Sequence, residues 1–94
     1  MRLDKYLKVT RLIRRRTVAK EVTDNGRVAI NDRIAKAGTV VNVGDEIEIS
    51  FGQRKIRVRV EQLRESPRKE EADSMYTVLS EERTQGTDMM TERD

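Results

Sequence analysis

Residues 16–31 read RTVAKEVTDNGRVAIN, and the period of the apolar residues changes within them. Val18, Ala19 and Val22 fall at the three- and four-residue spacing of one helix face. Asp24-Asn25-Gly26 ends that pattern, and Gly26 can take the left-handed conformation that closes a helix. After Gly26 the chain alternates, with Val28 and Ile30 on one side, which is the period of a strand.

Upstream, Leu3, Leu7, Val9, Leu12 and Ile13 form one apolar stripe, or two short ones, at helical spacing, so helix precedes the segment from Arg16. Asp4 lies in its first turn, where a carboxylate suits the positive end of the helix dipole. The pattern leaves the boundary between the two helices open, because only Thr17 offers a side chain of the usual capping type. Downstream, Asn31-Asp32 signals a turn and Arg33 to Lys36 a short return strand. Ile47, Ile49 and Phe51 alternate, Gly52-Gln53 marks a hairpin, and Ile56, Val58 and Val60 alternate back. Residues 27–64 thus predict three to five short antiparallel strands with one wet face. After Ser66-Pro67, the spacing of Ala72, Met75, Tyr76 and Leu79 predicts a C-terminal helix within residues 65–83, packed on a domain spanning 1–64. Thr84 to Asp94 has no period and reads as a disordered tail. The expected fold class is α+β.

Composition narrows the function. The 94 residues contain no His and no Cys, so the commonest general base, the thiolate nucleophile and the usual soft metal ligands are all missing. An enzyme is not expected, and neither is a cofactor or a metal. No apolar run approaches the roughly 18 residues of a membrane span, and the first residues lack the pattern of a secretory signal. A soluble, cytoplasmic protein is the expectation.

The formal net charge of +3 conceals a gradient. Residues 1–36 hold eleven Lys/Arg against four Asp/Glu, whereas residues 61–94 hold five against ten. Arg11 to Lys20 contains five cations and no acid. On a continuous helix, Lys8, Arg11 and Arg15, and likewise Arg16 and Lys20, would be neighbours that repel one another. A polyanion relieves such repulsion, and arginine can grip a phosphate with two hydrogen bonds. A solvated basic face is the plainer alternative, but solvated helices usually mix signs.

In the order RLDKYL (from Arg2), RTVAKEV (from Arg16), GRVAIN (from Gly26) and V-x-x-G-D-E-I-E-I (from Val41), the chain resembles the RNA-binding domain first seen in ribosomal small-subunit protein four. The resemblance implies two helices packed on a small bent antiparallel sheet, with the helical face on structured RNA. It points to Arg2, Lys5, Arg16 and Lys20 as contacts, which join Lys8, Arg11 and Arg15 as the candidate RNA-binding residues. One departure is Arg15, which stands where the family often has a capping Ser or Thr. Either the cap is lost, or another charge for RNA replaces it. The whole stretch 1–83, with Phe51-Gly52-Gln53 and the late K-E-E-A-x-x-M-Y from Lys69, is similar to short members of this family. These are the ribosome-associated quality control proteins of the P type and the fifteen-kilodalton heat-shock protein. That resemblance implies a monomer bound to rRNA of a split large ribosomal subunit carrying peptidyl-tRNA. It further implies support for a partner, quality control protein H, in alanine tailing of the stalled chain. A protein-docking role for the face of Met75, Tyr76 and Leu79 is the other reading of the C-terminal segment.

Overall fold

The computed structural model describes residues 1–83, so the expected tail from Thr84 to Asp94 lies outside the described residues. Two helices open the chain, α1 (Leu3–Val9) and α2 (Arg16–Asp24). Four strands follow, β1 (Val28–Ile30), β2 (Arg33–Ile34), β3 (Glu46–Phe51) and β4 (Arg54–Val60). A single-turn helix α3 (Lys69–Ala72), a 3-10 turn (Asp73–Met75) and β5 (Tyr76–Arg83) complete the described chain. The strands form one sheet in the order β2-β1-β3-β4-β5, each pair antiparallel.

The helix stop read at Gly26 is a full Schellman closure. The Arg27 amide donates to the Val22 carbonyl, the Gly26 amide donates to the Thr23 carbonyl, and Gly26 has φ of 76°. At Asn31 and Asp32 both residues carry positive φ, 52° and 70°, as a two-residue type I′ hairpin requires. The alternating residues meet across the sheet in rows, with Val28 opposite Ile49 and Ile49 opposite Ile56 in one, and Ile30 opposite Ile47 and Ile47 opposite Val58 in the next. These rows join Leu3, Tyr6, Leu7, Ile13 and Ala19 from the helical side in one buried cluster. A slip of one residue in any strand would turn its row to solvent, so burial fixes the register.

The C-terminal segment departs from expectation. The helix predicted within residues 65–83 is confined to Lys69–Ala72 and the following 3-10 turn, and Tyr76 to Arg83 forms a strand. Tyr76, Thr77 and Val78 are residue types that favour strands, and the edge of β4 offers a row of unpaired backbone groups. Pairing along β4, from Val60 opposite Tyr76 to Arg54 opposite Arg83, outweighs a short helical pattern. A bulge at Arg57/Val58 accommodates the extra residue Leu79.

Met75, at the joint, is fully buried in the core. Its carbonyl accepts hydrogen bonds from the Tyr6 hydroxyl (2.9 Å) and from the Glu61 and Gln62 amides (2.8 and 3.1 Å). Burial also raises the Tyr6 hydroxyl well above its ordinary pKa, so it remains a donor. The segment after Leu63 is therefore part of the folding unit. A chain ending at Leu63 should lose its cooperative thermal transition in circular dichroism. A cooperative melt of that truncation would place residues 65–83 outside the unit. Tyr6→Phe should cost only about 1 kcal/mol in urea unfolding, because the Met75 carbonyl keeps two amide donors.

Candidate nucleic-acid interface

Arg2 is the N-cap of α1 and Arg16 the first residue of α2. Between them lies Asp4, whose side chain is only 4% exposed. Arg2 donates from Nε to Asp4 Oδ1 at 3.2 Å, Arg16 donates from Nε to Oδ2 at 3.3 Å, and the Lys5 amide donates to Oδ1 at 2.9 Å. The first-turn amides of α1 are held from the other side, where Leu3 donates to the Thr39 carbonyl and Asp4 to the Ala37 carbonyl. The Arg2 guanidinium lies over Gly38, close to the place a Cβ there would occupy. Both guanidinium groups bind Asp4 through Nε, and both side chains remain about half exposed. Burial acts to raise the Asp4 pKa, but the hydrogen bonds and charges of Arg16 and then Arg2 hold the carboxyl below the ordinary carboxylate range.

The cations are unevenly paired. On the sheet three arginines meet acids, with Arg54 on Glu81 (2.7 Å), Arg57 on Glu46 (2.9 Å) and Asp32 (3.0 Å), and Arg59 on Glu61 (3.1 Å), while Arg33 and Lys55 have no ion-pair partner among the described residues. Lys8, Arg11, Arg14, Arg15 and Lys20 are exposed and have no ion-pair partner among the described residues. Unpaired positive charge is thus densest between Lys8 and Lys20, on the opening helices and the loop between them, where a phosphate backbone gains most.

Seven residues were expected to contact RNA, and they occupy four places. Arg2 and Arg16 converge on Asp4. Lys5 is turned toward the C-terminal segment and pairs with Glu65. Lys8 and Arg11 line an open groove at the end of α1, while Arg15 and Lys20 lie exposed at the N-cap and within α2. The expected helical adjacency of Lys8, Arg11 and Arg15 does not hold, because α1 ends at Val9 and α2 begins at Arg16. Arg11 closes α1 in the left-handed region (φ 65°), where a non-glycine residue costs about 1–2 kcal/mol. Of the expected neighbours, Arg16 and Lys20 do share a helix face. Arg15 is the N-cap and makes no side-chain cap hydrogen bond, so the cap is lost. The organising role of Asp4 was legible only as a helix-dipole preference, since Arg16 is twelve residues away.

Asp4→Asn separates two roles for this carboxylate. Its pKa is lower in the folded than in the unfolded chain, so its stabilisation is present at neutral pH and fades as acid protonates it. The stability gap between wild type and Asp4→Asn should be about 1–3 kcal/mol at neutral pH and close on acidification, measured by urea unfolding. The substitution also adds one positive charge. Simple attraction would then tighten binding to a structured RNA, whereas loss of the two held guanidinium groups weakens it. Weaker binding by the folded variant is the expected result.

A model of the S4 domain matches residues 1–47. The chain is 58% identical to the RQC P-site tRNA stabilizing factor of Listeria innocua over 84 residues, 89% of this chain and 91% of that protein. It is 55% identical to the RQC P-site tRNA stabilizing factor of Bacillus subtilis, over 88% of this chain and 96% of that protein. Among solved structures, the trimeric heat shock protein 15 of Vibrio cholerae superposes with a TM-score of 0.78 at 27% identity, covering 85% of this chain and 82% of that one. With the helical pair, the five-stranded sheet and the basic face in place, these likenesses assign the chain to the S4-domain family of RQC P-site tRNA stabilizing factors.

Proposed function

We propose that this chain is a non-enzymatic, cytoplasmic factor of ribosome-associated quality control. It acts as a single copy on the split large subunit that carries peptidyl-tRNA. The observation that carries the reading is the cluster of unpaired cations on the opening helices and the loop between them, with Arg2 and Arg16 held on one buried carboxylate. Phosphate contacts fix its register, and the shape of the folded RNA supplies specificity. Arg2, Arg16 and Lys20 meet RNA backbone, with Lys8, Arg11 and Arg15 adding charge, while Lys5 contributes through its pair with Glu65. A binding protein of this kind acts by preferring one arrangement of tRNA on the subunit, which shifts the population toward that state. In that arrangement quality control protein H can extend the stalled chain with alanine. The names and high identity of the curated relatives support this assignment.

A second reading follows from the likeness to heat shock protein 15, that of a general binder of obstructed large subunits or rRNA. Co-sedimentation with large subunits separates the two. The quality-control reading expects wild type to prefer subunits bearing peptidyl-tRNA and a folded Arg16→Ala variant to lose that preference. Equal binding to both kinds of subunit would favour the general binder. With roughly five to six phosphate contacts, log affinity should fall with log salt at a slope of about −4 to −5. A slope near zero would contradict backbone recognition.

A further inference from the structure

The end of α1 and the segment leading into α3 enclose an open groove of about 720 Å³. Lys8, Val9, Arg11 and Arg14 line one side, and Glu65, Ser66, Pro67 and Lys69 line the other. Four of these eight residues are cations, and none of the four has an ion-pair partner among the described residues. The single carboxylate, Glu65, is already paired with Lys5, which lies outside the lining. Arg14 and Lys69 were not among the candidate contacts, and Lys69 comes from a segment distant in sequence.

We infer that this groove is a second phosphate-binding tract, which holds a sugar–phosphate strand of RNA separate from the phosphates met by Arg2 and Arg16. The inference rests on the RNA-binding reading above. Three observations carry it. First, Arg2 caps the start of α1 and Lys8 lies in its last turn, so at 1.5 Å per residue they are about 9 Å apart along the helix. Arg2 is turned onto Asp4 while Lys8 lines the groove, so the two side chains serve different places. Second, no aromatic side chain lines the groove, so nothing there stacks a base, whereas the donors of Arg11, Arg14, Lys8 and Lys69 suit phosphate oxygens. Third, the volume lies in the range that accommodates a nucleotide-sized group. The two tracts together let a small domain bridge two backbone segments and read their relative placement, which a single patch cannot do.

The absence of cysteine from the chain makes the test direct. Ser66→Cys places a unique thiol in the groove, and Thr17→Cys places one beside Arg16. Each carries a tethered iron chelate for hydroxyl-radical cleavage, with large subunits bearing peptidyl-tRNA as the probe. Cleavage from both positions, at different nucleotides, is expected. Cleavage from position 17 with none from 66 overturns the second tract and leaves the RNA-binding reading intact. Cleavage from neither position removes both. A second measurement uses the double variant Arg14→Glu/Lys69→Glu, with folding checked by circular dichroism. Its salt slope should be shallower than that of wild type by about 1.5 to 2, the loss of two phosphate contacts. An unchanged slope overturns the proposal, and joined to new weakness toward an acidic peptide it would give the groove to a protein partner instead.

Discussion

A single buried carboxylate joins the two opening helices and aims their arginines. Asp4 accepts from Arg2, from Arg16 and from the Lys5 amide, so one side chain fixes the start of α1 against the start of α2. An arginine on a free surface samples many rotamers, and ordering it on a ligand costs conformational entropy. With Nε already bound to Asp4, much of that ordering occurs on folding rather than on RNA binding. The carboxylate reduces net positive charge at the interface by one unit, and in exchange two guanidinium groups are pre-oriented. The Ala37 and Thr39 carbonyls hold the same turn from the sheet side, so the pair is tied to the core.

The rest of the electrostatics follows from where acids are placed. Along β3 and β4, arginines and glutamates lie on the same exposed face and neutralise one another, as Arg57 does with Glu46, Asp32 and Glu48. Between Arg11 and Lys20 the chain supplies no acid, so apart from Arg16, which Asp4 holds, those charges have no ion-pair partner among the described residues. Exposed pairs on the sheet add little stability, with typical values of about 0.2–1 kcal/mol each. Their larger effect is to leave the densest unpaired positive charge on the opening helices of a protein whose net charge is only +3. Arg11 shows how far this goes, since it occupies a left-handed helix end where glycine would be easier.

The sequence by itself determined much of the fold. The change of period at Gly26, the alternation through Ile47 to Val60 and the turns at Asn31-Asp32 and Gly52-Gln53 are local signals, each set by side-chain geometry within a few residues. The helix over Arg16–Asp24, the strands and their buried face follow from them, and so does the basic character of the N-terminal third. Arg2 and Lys5 came into view only through motif resemblance, whereas Arg16 and Lys20 were also marked by their four-residue spacing.

Tertiary structure alone decided three things, all of which depend on groups far apart in the chain. Tyr76–Arg83 became a strand because the edge of β4 was available to pair with it, and no local period encodes a neighbour sixteen or more residues away. The basic run divided into a loop and a helix because burial of Ile13 and the closure at Arg11 broke the helical stripe. Asp4 became the joint between the two opening helices because folding brought Arg16 to it across twelve residues. Periodicity reports which face a residue occupies. Which charges meet on that face is set by packing, because a Coulomb pair needs only proximity in space.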